Sequence, residues 1–165
     1  MSFKIVKVDY KYCNYLRKYD NKVSYNAGVK ELRPFVGVLF KIDDMEYFAP
    51  LSSPKEKHKK LRNTVDLIKI DNGNLGVINL NNMIPVSKNN YNEFDINQNH
   101  PNISERKRSI LLYRQLRWLN SHERLVIGKA IRLYDNYKKD RLINIIKDRC
   151  CNYPLLEEKC AEYNK

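Results

Sequence analysis

The chain has 165 residues, 42% apolar and 30% charged, enough hydrophobic material for a single domain (1–165) with its own core. Lysine and arginine number 31 against 19 acidic residues, a formal net charge of +12, which implies an anionic partner: nucleic acid or a membrane surface. No apolar run approaches the roughly 20 residues of a bilayer-spanning helix, and residues 1–20 are charged throughout, so neither a membrane anchor nor a secretory leader is expected.

In chain order, Phe3 to Val8 is a short apolar and basic stretch, and Lys11 to Asp20 has helical spacing through Tyr12, Tyr15, Leu16 and Tyr19. Asp20 to Glu31 reads as a polar loop with Gly28. Phe35 to Ile42 is a near-continuous β-branched and aromatic run, as expected of a central strand. Asp43 and Asp44 turn the chain into a second strand, Met45 to Leu51. Thr64 to Ile70 and Leu75 to Leu80 predict a hairpin around Asp71-Asn72-Gly73-Asn74, and Met83 to Val86 a last strand that Pro85 places at an edge. The second half predicts helices: Glu105 to Asn120 with Ser104 as N-cap, His122 to Lys138, Lys139 to Arg149, and Pro154 to Tyr163. Strands first and helices after give an α+β fold.

The four cysteines, Cys13, Cys150, Cys151 and Cys160, form no CxxC pair and have no histidine at zinc spacing, so they read as reduced thiols of a cytoplasmic protein. Asp43, Asp44 and Glu46 sit where a hairpin turn belongs and read as a solvated turn, not a magnesium site. No metal and no cofactor are expected. Twelve tyrosines among 18 aromatic residues offer faces for unpaired bases, which favours RNA over lipid, although any single tyrosine can equally be a core edge.

The most informative stretch is Phe48-Ala49-Pro50-Leu51-Ser52-Ser53-Pro54-Lys55, followed by Lys57, His58, Lys59, Lys60 and Arg62. A strand ending in two hydroxyls, a proline and a lysine can be plain turn chemistry followed by a solvated basic face. It can also be a fixed corner for a phosphodiester. RNA brings its own nucleophile, the 2′-hydroxyl, so a protein that cleaves it must align that group, offset charge on the phosphorane and protonate the leaving oxygen. A lysine ammonium is a poor base at neutral pH, so Lys55 reads as electrostatic stabiliser or general acid, with Ser52 and Ser53 as hydrogen-bonding groups. A non-catalytic RNA-binding module using the same basic surface is the alternative.

Six blocks carry a further signal: KYCNYLRKYDNKV (Lys11 to Val23), RPFVGVLFKI (Arg33 to Ile42), YFAPLSSPK (Tyr47 to Lys55), LGVINLNNMIPV (Leu75 to Val86), LLYRQLRWL (Leu111 to Leu119) and CNYPLLEEKCAEY (Cys151 to Tyr163). In these blocks the chain resembles the ToxN/AbiQ family, the endoribonuclease toxins of type III toxin–antitoxin and phage abortive-infection systems. The resemblance implies a strongly bent antiparallel β-sheet with surrounding helices, related to the MazF/Kid toxins. It also implies metal-independent cleavage of A-rich single-stranded RNA to a 2′,3′-cyclic phosphate and a 5′-hydroxyl. Under it, Ser52, Ser53 and Lys55 match the catalytic corner, with Ser52 standing where some members have threonine. Tyr12 matches a tyrosine of the first helix, and Arg33 a basic residue before the central strand. Tyr25 is a candidate for a further tyrosine, and Tyr113 and Gln115 for the groove wall. The implied partner is a small repeat RNA antitoxin, processed into pseudoknots and closed with the toxin into a cyclic hetero-oligomer. Cellular and phage RNAs are the implied substrates. The segment Lys55 to Arg62 and the helix face at Arg106, Arg114 and Arg117 are the expected RNA surfaces.

Overall fold

The computed structural model describes residues 2–26 and 33–165, so Gly28 and the end of the loop before Arg33 lie outside the described residues. In chain order the strands are β1 (Lys4–Val8), β2 (Phe35–Gly37), β3 (Lys41–Ile42), β4 (Met45–Ser52), β5 (Leu67–Lys69), β6 (Val77–Asn79), β7 (Ile84–Val86) and β8 (Tyr91–Glu93). The helices are α1 (Tyr10–Arg17), α2 (Glu56–Lys60), α3 (Ile103–Ser121), α4 (Glu123–Lys138), α5 (Asn144–Arg149) and α6 (Tyr153–Tyr163).

All strand pairs are antiparallel, in the order β5-β6-β4-β2-β1-β8, with β3 and β7 also on β4. Strand β4 is central because Glu46 to Leu51 is buried without interruption, which only a strand covered on both faces tolerates. It changes neighbours halfway along. Glu46 to Phe48 pair with β7, and Leu51 and Ser52 with β6; on the other edge β3 lies against Met45 and Glu46, and β2 against Ala49 and Pro50.

That handover explains why the expected Phe35 to Ile42 strand is observed as two pieces. Phe35–Gly37 follows one half of β4 and Lys41–Ile42 the other, bridged by Leu39 N–H to Tyr47 O and Tyr47 N–H to Phe40 O, both 3.0 Å. Gly37 makes the crossing possible, since a Cβ there would lie 2.6 Å from the Phe48 ring.

Several helix boundaries differ from expectation. The cap of α3 is Asn102, not Ser104: its Oδ1 accepts from Glu105 N–H at 3.0 Å, and asparagine is as good a cap as serine. The helix expected over Lys139 to Arg149 is shortened to α5, because Asp140 takes a positive φ of 54° and ends α4. Helix α6 covers β7 and packs on α1. Its Glu157 Oε2 accepts from both Tyr47 and Tyr134 hydroxyls at 2.7 Å. Tyr12, Tyr47, Tyr134 and Tyr153 are buried, so much of the tyrosine excess builds the core and only part of it is available to stack bases. All four cysteines are buried and unpaired. Among the described residues no helix is long and apolar enough to cross a membrane.

Candidate active site

Ser52 is the last residue of β4, opposite Val77 of β6. From the next turn of the ladder Asn79 donates its Nδ2 to Ser52 Oγ at 2.9 Å. The serine oxygen is thereby held as an acceptor, and its own O–H remains able to donate outward. Ser53, Pro54 and Lys55 then leave the sheet and are exposed. Lys55 has extended backbone angles (φ −137°, ψ 155°) and opens α2.

The corner borders an open cavity of about 420 Å³. Arg33, Ser52, Ser53 and Lys55 line one side, and Arg108 and Gln115 of α3 the other, with Leu51, Leu111 and Leu112 as apolar wall. Among the described residues, Arg33 and Gln115 each keep one buried polar atom without a partner, Nε and Oε1 respectively. The Gln115 amide is oriented by its other end, since Nε2 donates to Leu75 O at 2.9 Å. A buried donor and a buried acceptor left unsatisfied beside a cavity are unusual in a structural wall.

Leu75 belongs to the turn between β5 and β6, which also supports the corner. Gly76 in that turn has φ +96°, and a Cβ on it would lie 1.9 Å from Ser52 O. Gly76→Ala therefore combines backbone strain with overlap, and is expected to cost about 2–4 kcal/mol. Thermal unfolding would read this as a Tm drop of roughly 5–15 °C, and cleavage should fall as well because Ser52 is displaced. Unchanged Tm and cleavage rate would show that the turn does not brace the corner.

Other expected site residues are found elsewhere. Tyr12 is 0% exposed, its hydroxyl donating to Pro85 O and its ring against Tyr163; burial first, then Cys160, pushes its phenol pKa far up. Tyr12 is thus a core residue of this structure and does not line the cavity. His58 is only 3% exposed, so it is corrected from the RNA-facing surface to the inner side of α2, while Lys57, Lys59, Lys60 and Arg62 remain exposed around it. Tyr25 is exposed beside α1, its ring 5.0 Å from the Arg17 guanidinium, and does not line the cavity.

On α3 the cavity face is Arg108, Leu111, Leu112 and Gln115, and helical periodicity puts Arg106, Tyr113 and Arg117 on the opposite side. Tyr113 is thus corrected from groove wall to outer surface, where Arg117 lies 6.0 Å from its ring. Arg114 is exposed between the two faces. Sequence reasoning missed Arg108, although its seven-residue spacing to Gln115 places both on one face. Arg108 also lies 3.8 Å from Glu105 and 4.4 Å over the Phe94 ring. Asn79 was missed too, and only the β4–β6 register reveals it.

Residues 4–161 match the family model described as toxin ToxN, type III toxin–antitoxin system. The chain belongs to the ToxN family. It is 34% identical to the endoribonuclease ToxN of Bacillus thuringiensis subsp. kurstaki over 93% of this chain and 80% of that protein. It is 28% identical to the endoribonuclease AbiQ of Lactococcus lactis subsp. lactis over 100% of this chain and 91% of that one. Among solved structures, a type III toxin described as selectively inhibited by a non-coding RNA pseudoknot superposes with a TM-score of 0.83 at 30% identity, covering 100% of this chain and 99% of the other. AbiQ, described as a lactococcal anti-phage endoribonuclease, superposes with a TM-score of 0.82 at 26% identity, over 99% of both chains. The chain is an enzyme of this ToxN/AbiQ group and shares its α+β architecture.

Proposed function

We propose that the chain is a single-domain endoribonuclease toxin that cleaves A-rich single-stranded RNA by intramolecular transesterification, without a metal ion. The observation that carries this reading is the gathering of Arg33, Ser52, Ser53 and Lys55 with Arg108 and Gln115 around one open cavity. Cations and hydroxyls on a rigid strand end are what the reaction requires. The 2′-hydroxyl gives its proton to solvent water as its oxygen bonds to phosphorus, the P–O5′ bond breaks, and the departing O5′ takes a proton from the Lys55 ammonium or from water. The products are a 2′,3′-cyclic phosphate and a 5′-hydroxyl.

Negative charge builds on the non-bridging oxygens along the way. Lys55 answers that charge or protonates O5′, the Ser52 and Ser53 hydroxyls donate to the phosphorane, and Arg33 and Arg108 add positive potential. Each such group acts more strongly in the transition state than on bound substrate, which is what makes it catalytic.

The described inhibition of one structural relative by a non-coding RNA pseudoknot, and the processed non-coding RNA described for another, support a processed RNA pseudoknot as the antitoxin. Its origin in a repeat transcript and its closure with the toxin into a cyclic assembly belong to the proposal. The anti-phage description of AbiQ supports a role against phage; cellular and phage RNAs in the cytoplasm are the targets proposed. A charge of +12 suits both, because neutralised phosphates release counterions and the exposed lysines of α2 face outward beside the cavity.

The test is incubation of purified protein with A-rich RNA in excess EDTA. Cleavage with cyclic-phosphate ends is expected. Cleavage only after magnesium is added would remove the mechanism, and binding without cleavage would make the chain a non-catalytic RNA-binding module.

A further inference from the structure

His58 is the one inward-facing residue of a helix otherwise exposed along Glu56–Lys60, and it lies three residues after Lys55. Its Nδ1 accepts the Lys55 backbone N–H at 3.1 Å, while His58 N–H donates to Lys55 O at 2.9 Å. The side-chain half of this pair is the bond that glutamate or glutamine usually makes from the third helical position; the other half is an ordinary backbone bond of the first turn. The far end of α2 is tied down as well: Lys69 Nζ donates to Lys59 O at 3.1 Å and to Leu61 O at 3.2 Å. Between these ties Gly73 presses on the His58 carbonyl, where a Cβ would lie 2.8 Å away.

We propose that His58 is the positioning residue of the cleavage site, its neutral imidazole fixing the backbone of Lys55 and so the reach of the lysine ammonium into the cavity. The inference rests on the reading of Lys55 as a catalytic group. A backbone N–H can only donate, so Nδ1 must carry no proton and the ring proton sits on Nε2. Protonating Nδ1 sets two donors against each other and releases Lys55.

Burial first, then Lys57 and Lys55, holds His58 below its ordinary pKa of 6.5. The charged groups around it are Lys55, Glu56, Lys57, Lys59 and Lys60 on its own segment, Lys69 from β5, and Asp71 from the turn packed against α2. The sign follows from the lowered pKa. Above pH 6.5 the imidazole is neutral folded or unfolded and the tie is intact. Below it the unfolded chain takes up protons first, and the tie is lost as pH falls through the depressed folded-state pKa.

The experiment measures kcat and KM against pH for the full-length protein and two variants. His58→Leu should lower kcat about tenfold to a hundredfold with KM within about twofold, as expected for a misplaced group. His58→Gln can accept the same N–H without titrating, so it should recover most of the rate and lack the acid limb below pH 6.5 that is expected of the parent. Wild-type kcat in His58→Leu, or an unchanged acid limb in His58→Gln, would overturn the proposal. Should His58→Leu fail to fold, the His58→Gln profile decides alone. Lys55→Ala measured alongside separates the two readings: full activity there removes Lys55 from catalysis, whereas loss there with an unaffected His58→Leu removes only the positioning role.

Discussion

An RNA with a single deoxyribose at the scissile nucleotide should survive incubation with this protein uncut, while deoxyribose one position to either side should leave cleavage in place. The reason is stoichiometric. The cavity offers hydroxyls and cations to a substrate whose own 2′-oxygen is the nucleophile. A well-placed intramolecular nucleophile is equivalent to about 10⁵–10⁸ M of an external one. Deleting that oxygen forfeits the whole advantage and leaves no route to a cyclic phosphate. Gel resolution of end-labelled RNAs reads the result directly. Persistent scission at the deoxy position would mean that water attacks phosphorus, which none of Ser52, Ser53, Lys55 or Arg33 is arranged to activate.

How much of this was legible beforehand varies by element, for physical reasons. Strand β4 and its corner could be read because an apolar run ending in Ser-Ser-Pro-Lys has few other structural solutions. The gathering of Arg33 and Gln115 beside that corner followed from the resemblance, not from spacing, since cross-strand register is invisible in one sequence. Tyr12, matched by the resemblance to a tyrosine of the first helix, lies in the core. An amphipathic helix buries one face, and composition does not say whether a tyrosine on that face meets substrate or, as here, Pro85. His58 was hidden among lysines because five residues are too few for a periodicity to declare an inner side. Short β8 escaped notice for the same reason. On α3 arginines occur on both faces, so Arg108 is selected over Arg106 only once Gln115 is known to face the cavity and the seven-residue spacing is counted from it.

Replacing Ser53 or Lys55 by alanine should lower kcat by about 10²–10³ each, equivalent to about 2.7–4 kcal/mol of lost transition-state stabilisation. Both side chains are exposed just beyond β4, and among the described residues neither makes a side-chain hydrogen bond or ion pair. Stability should therefore change little, and the loss can be assigned to chemistry. RNA affinity should also change little. It is spread over a surface carrying a net +12, and deleting one phosphate contact lowers the salt slope by only about 1. The double variant should fall well short of the product of the two single losses, because groups that serve one transition state are not additive. Lys55→Arg keeps the charge on a wider, planar head and should recover only part of the rate. Single-turnover cleavage measured with saturating protein isolates the chemical step. Wild-type rates in both alanine variants would move the active site away from this corner, whereas a rise in KM at constant kcat would leave the corner as a binding surface alone.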